Sequence, residues 1–214
     1  MLLVIKLFSY SVFRLLLLTG LTAQTVDVDA IIQKTSQIYE TWGGAFVKFT
    51  ANIQSKTNSA SESFEGTIRM KNDKFLLSTP EMTTWFDGTT QWTYMDRTNE
   101  VNISPSSDDS RFLNPINLLQ DYKKDFSVSY SGESTSINAK MAYDLIFIPK
   151  TKGDIEKVDV QIEKSTSLPT KFIITMRNQI FGIVINEMKA DKPSDEIFTF
   201  SKTSFPNAEI IDLR

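Results

Sequence analysis

The sequence predicts a mainly β (α+β) protein built on one strongly curved antiparallel sheet. The sheet forms an incomplete, half β-barrel of about eleven strands, with helices covering its concave side. Three observations predict this. From residue 45 onward most of the chain reads as short runs in which apolar and polar residues alternate, the period of half-buried strands. The 15 Phe, 6 Tyr and 3 Trp favour pleated, packed surfaces. Only two stretches carry a helical period, too few to cover both faces of so long a sheet, so the sheet must curl around them and enclose a lined interior.

The elements follow in order. Residues 1–23 carry Lys6 and Arg14 but no acid, then the apolar run Leu15 to Leu18, then small and polar residues around Ala23. This is the pattern of a secretory signal peptide cleaved near Ala23, its apolar run well short of the ~20 residues a membrane span needs. Residues 24–214 are then expected as a single domain. Ile31, Thr35, Ile38 and Trp42 stand at steps of four, three and four, an amphipathic helix over 27–42 with Asp27 or Asp29 as N-cap and Gly43-Gly44 as stop. The period then switches to two: Ala45, Val47, Phe49, Ala51 and Ile53 alternate with Lys48, Thr50 and Asn52.

Alternation resumes at Phe64, Gly66, Ile68 and Met70, and strand-like runs follow at 74–79, 82–86, 89–95 and 100–104. Between two of these, Asp87-Gly88 predicts a type I′ hairpin, with Trp92 and Tyr94 on one face of its second arm and Gln91, Thr93 and Met95 on the other. Asn114 and Pro115 read as N-cap and first residue of a short helix over 115–122 carrying Ile116, Leu119 and Tyr122. A second series of strands follows: 126–131, 142–149, 157–164, 170–176, 181–188 and 197–202. No repeat or low-complexity tract interrupts them.

The composition excludes several classes of function. With no His and no Cys, the chain lacks Ser-His-Asp and Cys-His nucleophilic systems and imidazole or thiolate metal sites. It carries no Walker loop and no dinucleotide glycine fingerprint, so no cofactor is expected. Asp108-Asp109, Asp191 and Asp195-Glu196 stand beside Ser, Lys and Pro and read as solvated turn acids rather than a glycosidase pair or calcium site. The net charge is −3, about −5 once Lys6 and Arg14 leave with the leader, and there is no basic run that would fit nucleic acid. An exported chain without cysteine has neither disulfides nor a lipid-modified N-terminus, which suits free diffusion in a bacterial periplasm.

Six stretches taken in order resemble the periplasmic lipoprotein carriers known as LolA. They are the N-terminal helix, "FTA" at 49–51, "EGTIRMKNDKF" at 65–75, "DGTTQWTYMD" at 87–96, "NPINLLQ" at 114–120 and "FTFSKTSFPNAEIIDLR" at 198–214. The resemblance implies an open barrel capped by helices, its apolar cavity holding lipoprotein acyl chains taken from an inner-membrane releasing complex to an outer-membrane acceptor. It implies a carrier, not an enzyme, and we expect a monomer. The residues expected to line the cavity are Phe49, Ile53, Ile68, Met70, Leu76, Trp85, Trp92 and Tyr94, with Leu118 and Leu119 from the lid helix. The family's arginine after the 65–71 strand, which latches sheet to lid, aligns with Asn72, and the proline after it with Asp73. Lys71 or Arg69 is the candidate substitute, Arg69 pointing away from Met70. A module of the same fold that senses lipoproteins is the alternative, and it would be expected to carry a membrane-spanning segment or a further domain.

Overall fold

A computed structural model describes residues 26–105, 115–120 and 122–214; the expected leader and the Asn114 cap lie outside them. Helix α1 spans Val28–Trp42. Asp27 is its N-cap, accepting from the Ala30 amide at 3.0 Å, while Asp29 sits in the first turn. Gly43 closes it in the left-handed region at φ 69°, its amide bonding the carbonyls of Tyr39 and Glu40. At Gly44, φ 151°, a Cβ would stand 2.7 Å from the carbonyl oxygens of Met70 and Asp191, so only glycine lets the chain turn into the sheet here.

The strands are β1 (Ala45–Ser55), β2 (Ser61–Lys71), β3 (Lys74–Ser78), β4 (Met82–Phe86), β5 (Thr90–Met95) and β6 (Glu100–Pro105). After helices α2 (Pro115–Gln120) and α3 (Tyr122–Asp125) come β7 (Phe126–Thr135), β8 (Met141–Pro149), β9 (Ile155–Glu163), β10 (Pro169–Met176), β11 (Gln179–Ala190) and β12 (Glu209–Asp212). They form one sheet of twelve, ordered β12-β6-β5-β4-β3-β2-β1-β11-β10-β9-β8-β7. The curved sheet is not closed, its edges being β12 and β7. Every pairing is antiparallel except β12 on β6, which is parallel.

Three expectations need correction. The run 197–202 is not a strand: Asp195–Phe198 and Lys202–Ser204 are single 3-10 turns, and the twelfth strand comes later, at Glu209–Asp212. The alternation of Phe198 and Phe200 comes from packing on the sheet rather than pairing with it, since Phe198 is fully buried without a ladder partner. The hairpin after β4 is also shifted. Asp87 and Thr90 close the loop, and of its two central residues only Gly88 has positive φ (101°), which excludes the type I′ turn. Asp87 instead caps the loop by accepting from the amides of Thr89 and Thr90, both at 2.9 Å. Finally, the helix expected over 115–122 is two short helices, α2 and α3.

The core lies between the helices and one face of the sheet. Ile32, Thr35 and Tyr39 are the buried line of α1, flanked by Ile31 and Trp42, so the buried face is rotated slightly from the expected 31-35-38-42 stripe. Thr35 also ties the helix to the sheet, its hydroxyl donating to the Ser167 carbonyl at 2.7 Å in the β9–β10 turn.

Candidate functional site

Register fixes which side chains share the helix-covered, concave face. Val47 stands opposite Ile68 and Met188, Ala51 opposite Phe64 and Ile183, and Ile53 opposite Phe181. The row continues through Phe172 and Ile174 on β10 to Val160 and Val158 on β9. In the other direction Met70 meets Phe75 and Phe75 meets Phe86, whose rings lie 5.4 Å apart.

Burial along this face is graded in the same sense on four adjacent central strands. On β1, Ala45 to Ala51 are buried and Ile53 is half-exposed; on β2, Met70 and Ile68 are buried and Phe64 is not. On β11, Ile185 is buried while Ile183 and Phe181 are only partly covered; on β10, Phe172 is buried and Ile174 is not. The closed end lies under the C-terminal half of α1, where Tyr39 packs beside the β2–β3 turn. Burial, and then the charge of Asp73, pushes its phenol up to about 12. The opposite end, at the β1–β2 and β10–β11 turns, leaves apolar side chains in reach of solvent. Among the described residues the helix-covered face is thus apolar along its length, fully covered at one end and only partly covered at the other.

Among the described residues three helices cover this face. Leu118 and Leu119 of α2 are buried in the core beside α1. At the start of α1, Asp29 accepts from Lys123 of α3 at 2.6 Å and from the Tyr122 hydroxyl. These two bonds, Lys123 first, hold the Asp29 carboxyl below its ordinary range.

The ten residues expected to line one cavity divide between two faces. Phe49, Ile53, Ile68, Met70, Leu118 and Leu119 come together on the helix side, Ile53 nearest the open end. Leu76, Trp85, Trp92 and Tyr94 are placed on the other, convex face: Leu76 pairs with Trp85 and Trp85 with Trp92, one residue out of phase with Phe75 and Phe86. Their facing is corrected accordingly. The rings meet the C-terminal segment there, Trp85 lying 5.5 Å from both Phe200 and Phe205, and Tyr94 4.5 Å from Phe205. Reading the sequence missed Phe64, Phe181, Ile174 and Ile183 at the open end, although each belongs to an alternating run whose partner strand would have shown its side.

Among the described residues the partners of Lys71 and Arg69 are not in these three helices. Lys71 bonds Asp195 at 2.7 Å and Arg69 bonds Asp191 at 3.3 Å, both in the segment that follows β11. A separate depression of about 400 Å³ over β7–β10 includes Ser134, Asp144 and Gln161. Three of its polar residues bond one another, Ser134 donating to Asp144 at 2.8 Å and Gln161 to Ser134 at 2.7 Å.

Comparison with known proteins agrees with this geometry. The family model described as outer membrane lipoprotein carrier protein LolA matches residues 18–178. The chain belongs to this family. No curated protein matches the sequence. Among solved structures, an uncharacterized conserved protein from Thermus thermophilus superposes with a TM-score of 0.53 at 14% identity, covering 86% of this chain and 97% of that one. A LolA superfamily protein from Nitrosomonas europaea gives 0.46 at 14% identity over 82% of this chain and 98% of that one. A putative outer membrane lipoprotein-sorting protein domain from Vibrio parahaemolyticus gives 0.46 at 12% identity over 83% and 97%. Among the described residues no helix is long and apolar enough to cross a membrane, and no cluster of acids could hold a metal ion.

Proposed function

We propose that the protein is a non-enzymatic carrier that shields acyl chains in the concave hollow and moves them, as part of a lipoprotein or related lipid, from the inner to the outer membrane. The observation that carries this reading is the graded exposure of the apolar face. A closed core would bury Ile53, Phe64, Phe181 and Ile174 as fully as Val47 and Ile68; here they are left with surface for a guest. An acyl chain laid on that surface gains about 0.8 kcal/mol per buried CH₂, so chain length tunes affinity without any polar recognition. The leader over 1–23 would deliver the protein to the periplasm, as a single domain and a monomer, where an inner-membrane complex loads it and an outer-membrane acceptor empties it.

Mass spectrometry of organic extracts of the protein, purified from a native periplasm without detergent, tests this. Acyl lipids or an acylated protein at near-stoichiometric amount are expected. Repeated recovery of lipid-free protein that also fails to take up a fluorescent fatty acid would overturn the reading.

A further inference from the structure

Of the sheet's two edges among the described residues, β12 is four residues long and ends beside the ion pair of Asp212 with Arg214 at 2.6 Å, the short, charged form that discourages further pairing. β7 is different. It runs for ten residues, and from Phe126 to Gly132 it carries no charged residue and no proline. It also starts at the partly covered end of the helix-covered face. The Arg177 amide of the β10–β11 turn donates to the Asp154 carbonyl of the β8–β9 turn at 3.0 Å, and the Lys150 amide of that turn donates to the Asp125 carbonyl, directly before β7, at 2.8 Å.

The ladder fixes which way the β7 backbone points. Phe126 stands opposite Pro149, so Asp125 stands opposite Lys150, and the bond from the Lys150 amide marks that pair as a bonded one. Bonded and unbonded pairs alternate along an antiparallel ladder, so Ser127 and Ser129 bond β8 while the amides and carbonyls of Val128 and Tyr130 turn outward. Among the described residues these outward groups have no backbone partner. The side chains of Val128 and Tyr130 pack partly against the core, whereas Ser127 and Ser129 are exposed on the convex side. The regular run ends at the register shift between Tyr130 and Gly132, where Gly132 has φ 146°. Beyond it Glu133 is paired with Lys164.

We propose that this edge takes, as an added strand, the extended polypeptide that follows the acylated first residue of a lipoprotein cargo. The inference rests on the carrier reading and deepens it by naming a second part of the cargo that is held. Three features point to that occupant. With its acyl chain under the helices, the cargo's polypeptide leaves at the end where β7 begins and, running away from its acylated residue, lies parallel to β7. Three strand spacings, about 14 Å, separate the half-exposed Ile174 on β10 from β7, a distance that about four or five extended residues cross. The outward run is short, with room for about four main-chain bonds, which suits one short segment and is too little for a stable interface with a second copy of this chain. It is also uncharged, with small serines on one face and Val128 and Tyr130 on the other, so main-chain bonding accepts segments of differing sequence and favours an apolar residue beside Tyr130.

Amide hydrogen exchange and titration with an acylated peptide test it. The probe is a peptide of about twelve Gly, Ser, Thr and Val residues with palmitate on its N-terminal amine, long enough to cross to β7 and pair with it. At saturation it is expected to slow exchange of the Val128 and Tyr130 amides about tenfold or more, while palmitate alone leaves them unchanged. N-methylating every amide in the C-terminal half of the peptide should weaken its binding about 25-fold, two lost bonds at about fivefold each, with the protein itself untouched. Val128→Pro removes an outward amide without breaking a bond to β8, and should cost about fivefold in affinity for the acylated peptide and nothing for palmitate. Unchanged exchange under saturating acylated peptide, equal affinity of the methylated peptide, or amides already protected in the free protein would overturn the proposal. Protection that grows with protein concentration in the absence of peptide would overturn it in favour of a second copy. Failure of palmitate to bind would count against the carrier reading alone. The edge is then judged by the unacylated peptide at millimolar concentration, which is expected to protect the same two amides.

Discussion

Phe49 and Gly66 face each other across β1 and β2, and the Phe49 ring fills the space a side chain on Gly66 would need: a Cβ there would stand 2.4 Å from the ring's Cζ. Substituting Gly66→Ala should push the ring off its rotamer at a cost of about 1–3 kcal/mol, read as a lower melting temperature. An unchanged melting temperature would show that the ring moves freely. Thr35 offers a second test, since its hydroxyl is buried and bonded to the carbonyl of Ser167, a residue held at φ 57°. Thr35→Val keeps the shape but leaves that carbonyl unpaired, an expected loss of about 1–3 kcal/mol in chemical denaturation. The two residues differ in how legible they were. Phe49 was read from alternation alone as an inward side chain. Thr35 was read as part of a stripe, but its partner lies 132 residues away and no local pattern could name it.

Among elements, the segment between β11 and β12 has the most to explain, because it makes a second apolar layer on the convex face of β3–β6. Its near end is fixed by Asp195, which accepts from Lys71 at 2.7 Å and from Lys74 at 2.9 Å; these bonds lower its carboxyl from 3.8 to about 2. A carboxyl whose folded pKa lies below its unfolded value adds stability that is present above about 3.8 and is lost as pH falls through about 2. The melting temperature of Asp195→Asn should therefore lie slightly below that of the parent at neutral pH, and the two should converge as the pH is lowered from 4 towards 2. A gap that persists at pH 2 would assign the effect to something other than this charge. The same segment explains why the sidedness of the aromatic hairpin was not legible. Where one face of a strand is wet, as on β1 with Lys48, Thr50 and Asn52, alternation identifies the core side. On β4 both faces are covered, Trp85 by the C-terminal segment and Phe86 by the core, so both are buried and the pattern is silent about which is inside. The twelve-strand order and the central pairings follow from hairpin succession, but the return of β11 to β1 and the parallel β12 depend on closure of the whole curve.

At the scale of the molecule the sheet separates two apolar regions with different consequences. The helix side is open at one end and the C-terminal side is covered by the chain's own rings, so a guest chain should be felt on one face and not on the other. The native tryptophans supply half of the test, since Trp85 and Trp92 lie together on the convex face, paired across β4 and β5. A Phe64→Trp substitution supplies the other half by placing an indole at the open end, where the parent ring is already half-exposed and an added ring can be accommodated. A fatty acid brominated along its chain quenches indole fluorescence only at near contact. Added to the parent protein with Trp42 changed to Phe, it should leave the Trp85 and Trp92 emission nearly unchanged; in the Phe64→Trp version of that protein it should remove the new emission at the concentrations that saturate binding. Trp85→Ala should behave in the complementary way, lowering stability by about 3–5 kcal/mol while binding per folded molecule stays the same. If the brominated chain quenches Trp85 and Trp92 as strongly as an indole at position 64, the guest lies on the convex face or passes between both. The assignment of the concave hollow as the acyl-chain site would then be wrong, even though the fold and the family would stand.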